Sequence, residues 1–150
     1  MVRRAHSPRR QPALTCTRRL RFCAGHRIVG HESKCRWLHG HEYEVRVTAR
    51  APRLDRVGRV IDFGVLKERV GGWIDAHWDH RLILFRNDRV FRAALEDHTP
   101  VFVLPVNPTA ENLAHYLLTV VCPKVLRGTG VKVERIELWE TENGRAEAMW

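Results

Sequence analysis

Three histidines are the residues of this chain whose type and spacing could hold a metal ion. His39 and His41 lie two positions apart and lead into the segment 43–49, in which apolar and polar residues alternate. Such alternation predicts a β-strand, where residues i and i+2 point to the same face. Both imidazoles are therefore expected on the apolar face, and a bound metal ion would explain why histidines lie there. The alternative is a turn with two half-buried histidines and no metal.

His26 is the third expected ligand. In the segment 14–26 the apolar residues and His26 fall on even positions, whereas the odd positions are mostly polar. If this segment is a strand, His26 lies at its end on the apolar side. Antiparallel pairing with the strand that follows His39 could then bring all three rings together. Three neutral nitrogens around one ion, with a fourth position open, are typical of a catalytic Zn²⁺ site rather than a structural one.

Cys35 lies in a polar segment four residues before His39, between Lys34 and Arg36. Neighbouring cations favour the thiolate form of a cysteine. This thiolate could act as a base or as a fourth zinc ligand, and the sequence leaves both roles open. The other cysteines form no CxxC pair and give no reason to expect a disulfide framework; they are Cys16, Cys23 and Cys122.

Asp79 and His80 could form a second catalytic element. A carboxylate that is hydrogen bonded to an imidazole fixes its tautomer and raises its basicity. Adjacent residues make that contact with difficulty when both side chains point the same way. The alternative interpretation is an ordinary helix end, because a lone Asp-His pair is a weak signal.

Glu140 ends a row of apolar residues on one face of a predicted strand. Ile136 and Leu138 precede it at intervals of two. A buried carboxylate needs a hydrogen-bonding partner, and a ligand with adjacent N–H donors, such as a guanine-like ring edge, would provide one. The alternative is a solvated carboxylate at a frayed strand end.

Length and composition predict one globular domain over 13–150. The chain has 150 residues, of which 44% are hydrophobic, enough for a proper core. The segment 1–12 is rich in arginine and lacks the apolar stretch of a secretory signal, so we expect a disordered basic tail. No apolar run approaches membrane-spanning length, and a cytoplasmic location without a membrane partner is expected.

The net charge of +9 permits nucleic-acid binding but does not favour it. Beyond the first twelve residues the basic side chains are scattered, and no predicted helix carries a basic stripe with interleaved aromatics. We therefore expect no nucleic-acid partner. The same positive potential would steer and hold a phosphorylated small substrate.

Strands and helices alternate along the rest of the chain. Asp62 and either Asn107 or Thr109 are typical N-caps, and Pro108 suits the first turn of a helix. The adjacent glycines Gly71 and Gly72 weaken the first of these helices. The predicted elements after the first two strands are a short strand 58–61, a helix 63–76, an extended segment 82–85, a helix 89–96, an extended segment 101–104, a helix from about 109 and a strand 131–141.

These motifs, in this order, resemble the 6-pyruvoyltetrahydropterin synthase superfamily. The resemblance is closer to its bacterial 6-carboxytetrahydropterin synthase branch, which belongs to the queuosine (7-deazaguanine) pathway, and it spans roughly residues 26–141. The motifs that carry it are His26, Cys35-x-x-x-His39-Gly40-His41, Val60-Ile61-Asp62-Phe63, Asp79-His80, Asn107-Pro108-Thr109-Ala110-Glu111-Asn112 and Trp139-Glu140-Thr141.

The resemblance implies a fold and an assembly. The fold is the T-fold, an α+β architecture with an antiparallel four-stranded sheet and two main helices packed on one face. Family members join their sheets into trimeric barrels, and two trimers stack into a homohexamer.

The resemblance also implies roles for the residues singled out above. Zn²⁺ would be held by the three histidines, and Cys35 would transfer protons. Asp79 and His80 would form a further acid/base pair, often supplied across a subunit interface. Glu140 would bind the 2-amino and N3 edge of a pterin, helped by Thr141 or by the region of Thr109.

The implied substrate is 7,8-dihydroneopterin triphosphate. The expected products are 6-carboxytetrahydropterin, acetaldehyde and triphosphate, which makes the protein a lyase. One alternative is triphosphate elimination to the 6-pyruvoyl product on the same scaffold. The other is a non-enzymatic zinc or nucleic-acid-binding module, in which Cys35 would close the metal site.

Overall fold

The computed structural model describes residues 13–150, and within this range the side chains of residues 91, 92 and 95 are also left undescribed. The predicted disordered tail, 1–12, lies outside the described residues. The described chain forms one sheet and three helices. The strands are β1 (Thr15–His26), β2 (His39–Arg50), β3 (Arg81–Phe85), β4 (Val101–Leu104), β5 (Lys132–Thr141) and β6 (Gly144–Met149).

Two long helices and one short helix connect the strands. The first, α1, spans 63–77 as the consecutive segments Phe63–Leu66, Lys67–Gly71 and Gly72–His77, and the middle segment is a π-helical turn. The short helix α2 is Arg89–Glu96. The helix α3 spans 110–125 as Ala110–Tyr116, a π-helical turn Leu117–Val121, and Cys122–Val125. No helix among the described residues is long and apolar enough to cross a membrane.

The sheet has six strands in the order β4-β3-β1-β2-β5-β6 and is mixed. The strands β1, β2, β5 and β6 pair in antiparallel fashion, whereas β3 is parallel to both β1 and β4. The predicted antiparallel four-stranded sheet is therefore wrong, although the α+β class and the two main helices are confirmed. The additional strands are short. In both parallel pairs the chain passes through a helix before it enters the second strand, and parallel pairing requires a long connection of this kind.

Two details of the predicted elements also differ. The segment 58–61 forms bends rather than a strand. The strand β6 was not predicted, because the residues that it turns toward the core are alanines, Ala146 and Ala148, which give a weak apolar pattern. Asp62 does cap α1, since its side chain accepts a hydrogen bond from the Gly64 amide, and Thr109 caps α3.

The core lies between the sheet and the two long helices. In β1 and β2 the burial alternates as the sequence predicts, and Phe22, Tyr43 and Val45 are at most 3% exposed. The structure also explains Gly71, because a Cβ at this buried position would lie 3.2 Å from Leu20 Cδ2. The absence of a side chain at Gly71 allows α1 to lie close to β1. The helix loses some stability in return, because a glycine gives up more backbone conformational entropy on folding than other residues do.

Candidate active site

The antiparallel pairing of β1 and β2 brings the three histidines together. His26 is paired with His39 in the register, and His41 lies two residues further along the same face of β2. The ring centroids of the three imidazoles lie 4.6, 4.9 and 5.2 Å apart. One ligand atom from each ring lies within 4.8 Å of the others, and this is the metal-capable cluster found among the described residues.

Backbone carbonyls orient two of the rings. His26 Nδ1 donates to the Pro108 carbonyl at 2.8 Å, and His39 Nδ1 donates to the Trp37 carbonyl at 2.7 Å. Because a carbonyl oxygen can only accept, the proton of each ring lies on Nδ1 and the Nε2 lone pair is free. Second hydrogen bonds of this kind are what fix metal-ligating histidines in the correct tautomer.

The three free nitrogens converge on one another. The Nε2 atoms of His26 and His39 face each other at 3.1 Å. His41 Nε2 is buried and has no hydrogen-bonding partner among the described residues. Unsatisfied buried nitrogens are costly unless something binds them. The donor set therefore fits a divalent cation that prefers imidazole ligands, such as Zn²⁺.

Burial keeps these imidazoles in the form that binds a metal. The pKa of His26 is lowered to about 4, mainly by its burial and further by His39 and His41, although the hydrogen bond to Pro108 acts in the opposite direction. Burial also lowers the pKa of His41, against the opposing charge of Glu140. Both rings are therefore neutral near pH 7, and a neutral ring offers its lone pair without first losing a proton.

Cys35 lies in a short 3₁₀ turn, Lys34–Arg36, on the segment that leads from β1 to His39. It is half-buried, and its carbonyl accepts a hydrogen bond from the Ile28 amide at 2.7 Å. Its sulfur does not belong to the metal-capable cluster found among residues 13–150. A thiol outside the cluster fits the role of a base better than that of a metal ligand.

Glu140, at the end of β5, lies directly beside the cluster. Its Oε1 atom is 3.3 Å from His26 Nε2, and the Tyr43 hydroxyl donates to the same oxygen at 3.5 Å. Burial raises the pKa of Tyr43, and Glu140 and Cys35 raise it further, so the phenol keeps its proton and remains a donor. The Tyr43 ring also lies 5.9 Å from that of His26, so Tyr43 contacts both the carboxylate and the histidine cluster.

Asp79 and His80 lie beside β1, at the turn that follows α1. Asp79 accepts from the Cys23 amide at 2.8 Å and from His80 Nδ1 at 2.7 Å. Partial burial opposes the charge of Asp79, but these hydrogen bonds outweigh it and lower the pKa of the carboxyl. The His80 side chain is 80% exposed. Within the described chain, their hydrogen bonds and ion pairs do not reach the histidine cluster.

The two threonines differ in their placement. Thr109 lies next to Pro108, whose carbonyl orients His26, and its hydroxyl accepts from the Asn112 amide at the start of α3. Thr141 is exposed at the end of β5, where Gly144 approaches its hydroxyl. No hydrogen bond in the described part of the chain connects Thr141 with the histidines.

Sequence reasoning missed three residues that shape the site. Tyr43 carried a usable signal, because it lies on the same strand face as His39 and His41. Asn107 and Pro108 were recognised only as part of a helix start and a family motif, because their contacts with Val29 and His26 join segments that are 78 and 82 residues apart in the chain. Contacts of this range follow from the packing of α3 against the sheet rather than from local pattern.

Comparison with known proteins places this chain in a known family. The family model described as 6-pyruvoyl tetrahydropterin synthase matches residues 15–149. A 6-carboxy-5,6,7,8-tetrahydropterin synthase of Rickettsia bellii is 44% identical over 132 residues, which cover 87% of this chain and 96% of the relative. A protein of the same name from Aquifex aeolicus is 32% identical, over 85% of this chain and 92% of that relative.

Solved structures agree with the sequence comparisons. An uncharacterized protein from Wolinella succinogenes superposes with a TM-score of 0.80 at 26% identity, over 93% of this chain and 99% of that one. The 6-pyruvoyl tetrahydropterin synthase of Caenorhabditis elegans shares the fold, with a TM-score of 0.67 at 22% identity, over 94% and 98% of the two chains. The chain therefore belongs to the 6-pyruvoyl tetrahydropterin synthase family.

Proposed function

We propose that this chain converts 7,8-dihydroneopterin triphosphate into 6-carboxy-5,6,7,8-tetrahydropterin, with release of acetaldehyde and triphosphate. The observation that carries this proposal is the 44% identity, over nearly the whole length, to a relative named for that product. The convergent histidines, with the Glu140 carboxylate beside them, are consistent with it. Such a product would serve the synthesis of 7-deazaguanine precursors.

The atoms of this reaction balance with one water. The ring gains two hydrogens, from the dihydro to the tetrahydro state, while the three-carbon side chain is oxidised. Its first carbon becomes the carboxyl group, whose second oxygen comes from water. The other two carbons leave as acetaldehyde after the triphosphate group is lost. No external oxidant or reductant is needed.

We assign the metal site to His26, His39 and His41, whose converging nitrogens suit Zn²⁺. A zinc ion held there would polarise the oxygens of the substrate side chain and lower the pKa of its hydroxyls. The three imidazoles leave a coordination position for those oxygens. Their hydrogen bonds to backbone carbonyls hold two of the rings in place before the substrate arrives.

Cys35 is assigned the proton transfers at the side-chain carbons. A thiolate beside a polarised carbon–oxygen bond can remove the proton of the adjacent carbon and return it elsewhere. Asp79 and His80 are assigned as the second acid/base pair. The carboxylate holds the Nδ1 proton of the imidazole, which leaves Nε2 free to accept or donate.

Glu140 is assigned to the pterin ring, whose N3–H and 2-amino group are adjacent donors. A carboxylate can accept from both at once, and such charge-assisted pairs are stronger than neutral ones. Tyr43 donates to the carboxylate and restrains it. Thr109 and Thr141 are assigned to the periphery of the same binding site.

We further propose the family's homohexamer, a dimer of trimers. β1 pairs with β3 only through Ala24–His26, so within the described chain its first nine residues have a strand neighbour on one side alone. An open sheet edge of this kind is suited to pairing with another copy. The exposed His80 could then serve a neighbouring subunit's site. Light scattering at several protein concentrations would test the assembly.

Product analysis tests the proposed reaction. The zinc-loaded protein is incubated with 7,8-dihydroneopterin triphosphate, and the products are identified by mass spectrometry. We expect 6-carboxytetrahydropterin and acetaldehyde in equal amounts. A 6-pyruvoyl product would instead support triphosphate elimination without side-chain cleavage, and unreacted substrate would contradict both reactions.

A further inference from the structure

We propose that Asn107 is a positioning residue that holds the loop bearing Cys35 in place beside the histidine cluster. The inference concerns the segment 27–38, which runs from the end of β1 to the start of β2 and is called the thiol loop below. It rests on the role proposed above for Cys35. The loop carries that thiol and, through the Trp37 carbonyl, also orients His39.

Two hydrogen bonds join Asn107 to the thiol loop near its start, at Val29. The Val29 amide donates to Asn107 Oδ1 at 2.9 Å, and Asn107 Nδ2 donates to the Val29 carbonyl at 2.9 Å. One side chain thus satisfies both polar groups of a backbone position, as a neighbouring β-strand would. Asn112 contacts the same turn through the backbone only, since its Nδ2 donates to the Asn107 carbonyl at 2.9 Å.

A short path leads from Val29 to the thiol. The Ile28 amide donates to the Cys35 carbonyl at 2.7 Å, and this bond closes the loop. Gly30, with φ of +83°, allows the chain to reverse between these two residues. A displacement of Val29 would therefore move the backbone of Cys35, with few intervening torsions to absorb it.

The same turn also orients the first metal ligand. The residue after Asn107 is Pro108, whose carbonyl accepts from His26 Nδ1. Thr109 then caps α3, so the turn is part of a regular helix start. The turn 107–109 therefore holds one imidazole directly and the thiol through the loop. This shared support fixes the backbone that carries the thiol relative to the histidine cluster.

The side chain required for this role is a short amide. Asparagine presents a donor and an acceptor on one planar group, whereas aspartate offers only acceptors and alanine offers neither. Aspartate would keep the bond from the Val29 amide but place an oxygen against the Val29 carbonyl. Alanine would leave both backbone groups of the half-buried Val29 without a protein partner.

Hydrogen exchange of the metal-loaded protein, without substrate, tests the positioning directly. We expect Asn107→Ala to raise amide exchange in the peptide that covers 27–38 by at least about tenfold, with no change in β2 or β5. The rate at which iodoacetamide alkylates Cys35 should also differ from the wild-type rate. Peptide mass spectrometry measures this rate, with Cys23 as the internal reference. The metal should remain at one ion per chain, because Pro108 still orients His26.

Two further variants serve as comparisons. Asn112→Ala also loses a hydrogen bond in the turn but keeps both bonds between Asn107 and Val29, so exchange in the thiol loop should match the wild type within about threefold. Asn107→Asp should give an intermediate effect. In turnover assays, Asn107→Ala should lower kcat by about 10- to 100-fold and change KM little, as outer-sphere substitutions typically do.

Unchanged exchange and unchanged Cys35 alkylation in Asn107→Ala would overturn the proposal, whatever the turnover. Faster exchange throughout the protein, or equal loop exchange in Asn112→Ala, would also overturn it, because the effect would then be general destabilisation. If Asn107→Ala does not fold, hydrogen exchange of the wild-type protein provides the test. Fast exchange of the Val29 amide would show that its hydrogen bond to Asn107 is absent. Hydrogen exchange and alkylation are measured without substrate, so their result does not depend on the proposed reaction. Product analysis tests that reaction separately.

Discussion

The Nε2 atoms of His26 and His39 lie 3.1 Å apart while both rings carry their proton on Nδ1. Two lone pairs at this distance repel each other unless a cation lies between them. Two nitrogens bound to one tetrahedral zinc at about 2.0–2.1 Å would be separated by about 3.3 Å. The observed separation is thus close to that of a formed metal site, and the backbone hydrogen bonds maintain it.

Replacing His39 should remove the metal. In His39→Ala two imidazoles remain, and we expect metal affinity to fall at least about 100-fold, because even the loss of an outer partner of a ligand costs 10- to 100-fold. Metal content after dialysis, measured by plasma mass spectrometry, checks this. His115→Ala, which removes an exposed histidine of α3, is the matched control. One tightly held ion per chain in His39→Ala would show that His39 is not a ligand.

Replacing Cys35 should separate metal binding from catalysis. We expect Cys35→Ala to retain one metal ion per chain and to lose turnover by at least about 100-fold, because a proton-transferring group is removed. Cys16→Ala, at a half-buried cysteine near the start of β1, should keep near-normal turnover. Metal content and turnover, measured on the same preparations, distinguish the two roles of Cys35. Loss of zinc in Cys35→Ala would show that Cys35 is a metal ligand.

Replacing Glu140 should weaken binding of the pterin ring. Glu140→Gln exchanges one acceptor for a donor that faces the donors of the ring, so we expect affinity to fall by about 1–3 kcal/mol. Calorimetric titration of the metal-loaded protein with a non-reactive pterin measures this. Glu142→Gln, in the exposed turn between β5 and β6, controls for the loss of charge. Equal affinities of the two variants would remove the anchor role from Glu140.

The metal-free protein should lose stability in mild acid because of His26. Its pKa is about 4 in the folded chain against an ordinary 6.5, so the unfolded chain binds a proton between these values while the folded chain does not. Stability that is fully present above about pH 6.5 is therefore lost progressively toward pH 4, by about 3 kcal/mol.

Denaturant unfolding of the metal-free protein at several pH values measures this loss. In His26→Asn, which cannot titrate in this range, we expect a flatter dependence of unfolding free energy on pH. An equally steep dependence in the variant would assign the effect to other groups.

The sequence predicted those parts of the site that follow from strand periodicity. His26, His39 and His41 lie on the apolar face of paired strands, and Glu140 continues the row of Ile136 and Leu138. Each of these placements depends only on alternation within a strand and on one antiparallel pairing. That pairing is itself favoured because strands that follow one another in the sequence usually lie side by side.

The sequence could not predict features that depend on packing between distant segments. The contact of Pro108 with His26 follows from where α3 docks, and the parallel pairing of β3 with β1 follows from the path of α1. The hydrogen bond between adjacent Asp79 and His80 forms because His80 adopts φ of +55°, a left-handed conformation that the sequence does not signal.

X-ray absorption spectroscopy of the zinc-loaded protein tests the account most directly, because it distinguishes nitrogen and oxygen ligands from sulfur. We predict three imidazole nitrogens at about 2.0–2.1 Å and one exchangeable oxygen ligand that changes when a pterin with side-chain hydroxyls is added. A sulfur ligand at about 2.3 Å, with a spectrum unaffected by the pterin, would contradict an open catalytic site.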